Sequence, residues 1–234
     1  QTLAPGARFV SGTALLRPMR VIKDADEIEK LRRAGEITEA AFDAVVKQMK
    51  VGMNELEVVS ELDYQMKRLG SLGPSFTTSL YNTSPTKSLM FGSKEKSWPR
   101  ELTPPESVLF DFGAVLDGMC YDFGRTVCIG APSEEQVLVH KLIMDSQRAG
   151  IAALRAGQIT CEAVDKAARD VLVEAGYGDR FRHRLGHAIG WDVHEPPFLT
   201  KGDTTTVEEG MIFTVEPSIF QDGTVSARVE DCIV

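Results

Sequence analysis

Apolar residues that recur every three or four positions predict a long helix near the start of the chain. This apolar face begins after Asp24, and Asp24 or Asp26 is placed to cap the helix. Gly52 is expected to end it, because glycine is common just beyond helix ends. The residues on this face are Ile28, Leu31, Ile37, Ala41, Val45 and Met49. Residues 1–20 carry glycine and proline with little periodicity, which is typical of a linker.

A second helix is predicted from Asn54, a favourable cap, to about Arg68, with Gly70 just beyond its end. Residues 71–107 are rich in serine, threonine, proline and glycine. That composition indicates short strands and loops rather than further helices.

The second half of the chain repeats this order of elements. Residues 132–135 begin a helix that is expected to end before Gly157, and Thr160 can cap another that runs to about Ala175 and ends at Gly176. Loops, short strands and a hairpin follow. Each half therefore reads as helix, capped helix, loop region and acidic hairpin, which predicts an internal duplication.

The stretch DFGAVLDGMCYDFG contains Asp-Phe-Gly twice and predicts a β-hairpin with two acids on one face. A four-residue loop over Val115–Gly118 would place Asp111 opposite Asp122. A two-residue turn at Asp117-Gly118 would instead place Asp122 opposite Gly113. In both registers side chains alternate with period two, so the aspartates share a face within roughly 5–8 Å.

The C-terminal segment predicts a second acidic hairpin. Glu216 would face Glu230, with a loop over residues 222–224. Apolar neighbours indicate buried strands, and four clustered buried carboxylates would each cost on the order of several kcal/mol if uncompensated. Arg125 and Arg228 could compensate them, and two divalent cations would match their charge. The alternative is that these acids are surface charges at strand ends.

Three of the four histidines fall close together, at His183, His187 and His194. A neutral imidazole beside carboxylates is a suitable ligand for manganese, cobalt, iron or zinc. The alternative for His183 and His194 is a structural role with satisfied hydrogen bonds. His140 lies in a predicted helix and is interpreted as a surface or packing residue.

Composition narrows the class of protein. With 43% hydrophobic and 26% charged residues, the chain has the composition of a soluble globular protein. Its net charge of −8 and the lack of a lysine and arginine cluster argue against nucleic acid as a partner. The sequence contains no run of eighteen apolar residues, so it predicts no membrane-spanning helix. The four cysteines show no C-x-x-C spacing, so a reducing, cytoplasmic location is expected.

The motifs DFGAVLDGMCYDFGRT, HRLGHAIGWDVHEPP, TVEP and RVED together resemble those of the pita-bread metallopeptidases. The resemblance is to the Xaa-Pro branch, aminopeptidase P and prolidase, and LRPMRVIKDADEIEKLRRAGEI is similar to the way that branch enters its catalytic domain. It implies an α/β fold of the α+β type, with two pseudo-symmetric halves and a curved antiparallel sheet covered by helices. It also implies that residues 21–234 form the catalytic domain. Because the chain stops inside the strand-like apolar run 232–234, a truncated C-terminus is expected. Residues 1–20 would then be a linker from an N-terminal domain that precedes residue 1.

The resemblance further implies a site with two divalent metal ions. Asp122 and Glu230 would bridge the ions, Asp111 would complete one shell, and His187 and Glu216 would bind the other ion. A bridging water would lose a proton and act as the nucleophile. Glu216 would then move a proton to the leaving amine as a general acid and base.

The remaining roles implied by the resemblance concern the substrate. His194 would contact the scissile carbonyl oxygen or the tetrahedral intermediate, His183 would line the pocket, and Arg228 would orient the ligands. The expected reaction is hydrolysis of the peptide bond before proline in a small peptide. Manganese is the favoured ion, with cobalt, zinc and iron as alternatives, and a homodimer is expected.

The chain departs from the family pattern at positions that leave the metal ligands intact. A substrate-binding histidine of the family falls near Lys94, and the usual glycine and tyrosine after the first glutamate are Ser218 and Phe220. A threonine is replaced by Gly124, and a glycine by Ala188. Two other functions therefore stay open. One is a hydrolase or lyase for a small non-peptide metabolite, and the other is a pita-bread domain that only binds protein.

Overall fold

Two pairs of long helices, each laid against antiparallel strands, make up the computed structural model, which describes residues 6–83, 100–221 and 225–234. The α-helices are α1 (Thr13–Val21), α2 (Ala25–Val46), α3 (Glu55–Arg68), α4 (Glu134–Ala153) and α5 (Cys161–Glu174). Strands of the first half are β1 (Ser79–Thr83), β2 (Glu106–Phe112), β3 (Val115–Leu116), β4 (Met119–Cys120) and β5 (Phe123–Ile129). Strands of the second half are β6 (Gly186–Ala188), β7 (Glu195–Leu199), β8 (Phe213–Val215), β9 (Ser218–Gln221), β10 (Val225–Arg228) and β11 (Asp231–Ile233).

The strands form antiparallel groups that follow the predicted duplication. The first half contains a three-stranded sheet in the order β1-β2-β5, with β3 and β4 forming a short ribbon. The second half contains a four-stranded sheet in the order β11-β8-β6-β7, with β9 and β10 paired beside it. Each half thus has two long helices followed by its sheet, as the sequence predicts. Among the described residues, no helix is both long and apolar enough to pass through a bilayer.

The long helices begin where the sequence indicates. Asp24 caps α2, Asn54 caps α3 and Ser133 caps α4, each as part of a capping box in which a side chain three residues on bonds back to the cap. Thr160 precedes α5 as predicted, although its side chain makes no capping hydrogen bond.

One predicted helix boundary is wrong. α2 ends at Val46 rather than at Gly52, because the next residues turn toward the neighbouring chain. The backbone N–H of Gly52 donates to the carbonyl of Leu102 at 2.8 Å, and Leu102 N–H donates to Met53 O at 2.9 Å. Within the predicted linker, residues 13–21 form α1, in which no residue is buried.

The first acidic hairpin adopts the register of the two-residue turn. Asp111 lies opposite Gly124 rather than opposite Asp122, so the four-residue loop is wrong. Asp117 has φ 49° and Gly118 has φ 87°. Consecutive residues with positive φ are what a type I′ hairpin turn requires, and such turns match the twist of the strands.

The second acidic hairpin has the predicted register. β8 pairs with β11, with Val215 opposite Asp231, and β9 and β10 continue the same register. Glu216 and Glu230 are therefore opposed, as predicted. The loop over residues 222–224 and the position of Lys94 lie outside the described residues.

The phenylalanines beside the first two acids explain the repeated Asp-Phe-Gly. Phe110, Phe112 and Phe123 are buried beneath α2, with ring centroids 5.2, 6.5 and 5.5 Å from that of Phe42. Because side chains alternate along a strand, Asp111 points away from this core. α4 and α5 cover the second half in the same way, so the acids of both halves are left on the side away from the helices.

Candidate metal centre

The side chains of five residues converge where the two halves meet. Oxygens of Asp111, Asp122 and Glu230 lie within 4.8 Å of one another. His187, Glu216 and Glu230 form a second group, and Asp122, His187 and His194 form a third, within the same limit. The structure therefore brings together every residue that the sequence nominated as a metal ligand, and Glu230 belongs to the first two groups.

His187 presents its Nε2 atom to these carboxylates. Its Nδ1–H donates to the carbonyl of Ala188 at 3.0 Å, which leaves the Nε2 lone pair free to bind a cation. Nε2 lies 3.5 Å from Glu216 Oε1 and 3.6 Å from Asp122 Oδ2. Burial lowers the pKa of His187, although Glu216 opposes the shift, so the imidazole is neutral at neutral pH.

Arg228 is the cation that contacts three of the four acids within the described part of the chain. Its Nη1 lies 3.2 Å from Asp111 Oδ2 and 3.8 Å from Glu230 Oε2, and its Nη2 lies 3.4 Å from Glu216 Oε2. Burial disfavours its charge, but the surrounding carboxylates outweigh burial and raise the pKa of Arg228. It therefore stays charged, yet one guanidinium leaves most of the charge of four ionised acids uncompensated.

The carboxyl groups respond to this surplus of negative charge. Burial is the main cause that raises the pKa of Glu216 to about 7, against the opposing effect of Arg228. Burial, reinforced by Asp122 and Glu216, raises the pKa of Glu230 well above its ordinary value. In the absence of further positive charge, the four acids are not all ionised at neutral pH.

Residues present at the site fit divalent metal ions. Both carboxylate oxygens of Glu230 and the Nε2 of His187 are buried, and none of them has a hydrogen-bond partner among the described residues. Such orphaned acceptors are costly unless a cation or proton satisfies them. Four carboxylates with one imidazole suit manganese, iron, cobalt or zinc, since imidazole binds transition metals and carboxylates bind hard cations.

A cleft of about 550 Å³ opens onto this cluster. His183 and His194 both line it, together with Arg228. Burial, followed by the positive charge of Arg228, lowers the pKa of His183 to about 3, and its Nδ1–H donates to the carbonyl of Arg184 at 2.6 Å. His194 is exposed, and its ring centroid lies 4.3 Å from that of His187.

The family departures have local explanations in the structure. A Cβ atom on Gly124 would lie 2.8 Å from Glu230 Oε2 and 2.7 Å from Arg228 Cδ, so the site leaves no space for a side chain there. The hydroxyl of Ser218 accepts a hydrogen bond from Arg228 Nε at 2.7 Å. Phe220 lies 6.2 Å from the ring of His183, and thus forms part of the surroundings of the cleft.

Sequence reasoning missed Arg184 and Phe198, which also line the cleft. The guanidinium of Arg184 lies over the ring of Phe198 at 4.8 Å. Its Nε is buried without a hydrogen-bond partner, and the side chain forms no ion pair, among the residues described. The only signal in the sequence for Arg184 is that it lies three residues before His187, outside β6. Phe198 is found only through its pairing opposite His187 on β7.

Comparisons with known proteins agree with this geometry. The profile of metallopeptidase family M24 matches residues 29–234. A Xaa-Pro dipeptidase of Lactobacillus helveticus is 36% identical over 230 residues, which are 97% of this chain and 61% of that protein. The chain thus spans about 61% of the length of this curated relative.

Solved structures show the same fold. An X-Pro aminopeptidase from Thermotoga maritima MSB8 matches with a TM-score of 0.90 at 33% identity, covering 100% of this chain and 65% of that one. A prolidase from Pyrococcus furiosus matches with a TM-score of 0.87 at 30% identity, covering 94% of this chain and 64% of that one. The predicted pita-bread fold and the resemblance to the Xaa-Pro branch are confirmed.

Proposed function

Because the chain belongs to metallopeptidase family M24, we propose that it hydrolyses the peptide bond before proline with the help of two divalent metal ions. The observation that carries the proposal is the position of Glu230. Its buried carboxylate is shared by two of the three ligand groups, and neither oxygen has a hydrogen bond within the described residues. The printed names of similar proteins, Xaa-Pro dipeptidase and X-Pro aminopeptidase, support the choice of reaction.

The five clustered side chains would hold the metals. Asp111, Asp122 and Glu230 form one group, and His187 and Glu216 join Glu230 in a second. When bound, the two ions would lower the pKa of a water molecule and polarise the scissile carbonyl.

Glu216 is suited to moving a proton. Its pKa of about 7 lies close to neutral pH, where a carboxyl group can both accept and donate. Bound metal would lower that pKa, and Arg228, 3.4 Å from Glu216 Oε2, stabilises the ionised form.

The two cleft histidines serve different purposes in this proposal. Because Nδ1 of His183 is bound to a carbonyl, its neutral Nε2 can only accept, for example from an N–H of the substrate. His194 is exposed beside His187 and can donate to the carbonyl oxygen of the bond that is cleaved.

Arg184 favours a short peptide with a free C-terminus. It is a guanidinium in the wall of the cleft, and within the described residues no carboxylate pairs with it. A planar guanidinium matches a carboxylate well, and the Phe198 ring would pack against proline. This arrangement supports a dipeptide over a long peptide.

Phe220 is the one observation that favours a second candidate, a hydrolase or lyase for a small non-peptide metabolite. Where the family pattern has tyrosine, the ring beside His183 lacks a hydroxyl group, so one polar contact to a peptide is absent. A small carboxylic acid could still bind to Arg184 and to metal ions held by the ligands. A non-catalytic binding domain is disfavoured, because it has no use for buried carboxylate oxygens that lack hydrogen bonds within the described residues, such as those of Glu230.

The finer features of the proposal follow the same reasoning. We propose manganese as the ion, residues 21–234 as the catalytic domain, a homodimer as the assembly and the cytoplasm as the location. The four free cysteines, of which Cys120 and Cys161 are buried, are consistent with a reducing compartment.

Turnover of proline peptides by protein loaded with manganese tests the function. Ala-Pro cleavage would indicate a prolidase and Ala-Pro-Ala cleavage an aminopeptidase P, whereas bound metal without either activity would indicate the metabolite enzyme. Asp122→Ala is expected to lower turnover and metal affinity by about a hundredfold, because it removes a ligand from the shared cluster. Asp43→Ala, at an exposed acid of α2, is the control. Full turnover by Asp122→Ala would refute the mechanism.

A further inference from the structure

The turn that carries His194 is anchored by a buried carboxylate as well as by the apolar packing of Val193. Trp191, Asp192 and His194 itself are exposed, whereas Glu195, the next residue, is only 4% exposed. His194 is itself exposed, so the anchoring of its neighbour Glu195 helps to fix where the histidine lies.

Four contacts converge on this part of the turn. Glu195 Oε1 accepts from Arg20 Nη2 at 2.5 Å and from the backbone N–H of Asp192 at 3.0 Å. Glu195 Oε2 accepts from Lys23 Nζ at 3.2 Å, and Arg20 Nη2 also reaches Asp192 Oδ2 at 2.6 Å. Arg20 lies in the last turn of α1 and Lys23 in the segment that joins α1 to α2, so this part of the chain contacts the turn from outside the cleft.

Lys23 is an unusual residue to bury. Its side chain is 0% exposed, and burial lowers its pKa while Glu195 opposes the shift. A Cβ atom on Gly190 would lie 2.7 Å from Lys23 Cε, so the turn has a glycine where the lysine passes. The backbone N–H of Lys23 is fixed as well, because it donates to Gly210 O at 2.8 Å.

A buried ion pair is a poor way to gain stability. Its desolvation cost offsets much of its attraction, and a well-packed apolar pair is often as stable or more so. What a charged pair gains is a defined geometry, since the oxygens of Glu195 must meet particular donors. Because His194 directly precedes Glu195 in the chain, the geometry of this ion pair also affects His194.

We propose that Arg20 and Lys23 act through Glu195 to position the imidazole of His194 over the metal cleft. Glu195 is the first residue of β7 and directly follows His194, so fixing the Glu195 carboxylate restricts where the imidazole of His194 can lie. The inference rests on the proposed function in that His194 contacts the substrate. It adds three positioning residues that do not line that cleft.

Arg20→Ala is the first test, because Arg20 is half-exposed and its loss should leave the fold intact. It removes contacts to both Asp192 and Glu195. We expect about a tenfold lower kcat for Ala-Pro with KM within about twofold, because small displacements of a catalytic group are costly. Arg17→Ala is the matched control: Arg17 also lies on α1 but has no hydrogen bond or ion pair with either acid among the described residues. Equal effects of the two changes would overturn the proposal.

Glu195→Gln is the stronger test, with an expected loss in kcat of about a hundredfold. Glu55→Gln controls for lost stability, since Glu55 is a fully buried carboxylate that bonds Arg100 and does not line the cleft. A similar loss in both variants would show that Glu195 acts through stability alone.

Histidine ring resonances give a readout that needs no turnover. In protein with ¹⁵N-labelled histidine, Arg20→Ala and Glu195→Gln should shift or broaden the His194 imidazole signals and leave those of His140 unchanged. Unmoved His194 signals would overturn the positioning role. If the unaltered protein cleaves no proline peptide, the proposed function fails. The histidine signals still decide whether Arg20, Lys23 and Glu195 orient His194.

Discussion

At the scale of single residues, the geometry of the site depends on the absence of a side chain at Gly124 as much as on the ligands. Gly124 lies opposite Asp111 across the hairpin, and its backbone N–H and carbonyl bridge to Glu230. Its lack of a side chain lets Glu230 and Arg228 pass close to the strand. The departure from the family pattern at this position is thus part of the site's geometry.

Gly124→Ala is expected to weaken metal binding by about tenfold to a hundredfold, because a Cβ atom 2.8 Å from Glu230 Oε2 must displace that carboxylate. Isothermal titration of metal-free protein with manganese measures the change. Gly12→Ala is the control, since the nearest atom to a Cβ there lies at 3.7 Å. Equal affinities for Gly124→Ala and the unaltered protein would contradict the steric argument.

Metal affinity should rise with pH from about 5.5 to above 7, because Glu216 and Glu230 both have raised pKa values. The pKa of Glu216 is raised to about 7 by burial, so below that pH its proton must leave before a cation can bind. His187 contributes less to this release, because burial lowers its pKa. Titrations at pH 6 in buffers of different ionisation enthalpy measure the protons released. Binding without proton release at that pH would contradict the raised pKa.

At the scale of elements, local chemistry predicted where helices begin, and tertiary contacts decided what the sequence left open. Asp24, Asn54 and Ser133 are recognisable because each cap is completed within three residues. The end of α2 was missed because it depends on hydrogen bonds to Leu102, some fifty residues away. The ion pair of Lys23 with Glu195 joins residues still further apart, so no local pattern reveals it.

The two helix caps of the second half should differ in their contribution to stability. Ser133 accepts a hydrogen bond from Gln136 N–H, whereas the side chain of Thr160 makes no capping bond. Ser133→Ala should lower the free energy of unfolding by about 1 kcal/mol. Thr160→Ala should lower it by less, as measured by urea denaturation of the metal-free protein. The reverse order would show that capping is not what distinguishes the two helices.

At the scale of the whole molecule, the site is shared between the halves. Asp111 and Asp122 come from the hairpin of the first half, and His187, Glu216 and Glu230 come from the second. The sequence predicted this division, because each hairpin carries its own pair of acids. Bound metal would therefore join the halves as well as serve the reaction.

Manganese at about a hundredfold excess over its dissociation constant should stabilise the fold by about 2.7 kcal/mol, since it binds only the folded site. For a chain of this size that corresponds to a rise in Tm of about 5–10 °C. Thermal unfolding followed by circular dichroism, with and without the metal, measures the shift. At the same manganese concentration, the hundredfold weaker binding of Asp122→Ala should reduce the stabilisation to about 0.4 kcal/mol. An undiminished shift in that variant would place the stabilising ion elsewhere.

Trp191 lies in the turn that carries His194, and its fluorescence can report on the conformation of that turn. Its indole Nε1–H donates to Glu27 at 2.9 Å, its ring packs near Gly118 at the tip of the first hairpin, and 47% of the residue is exposed. The chain has two tryptophans, so a Trp98→Phe protein would contain a single fluorophore, three residues before His194. Its emission and quenching would then report, without any attached dye, how this turn responds as a peptide enters and leaves the cleft.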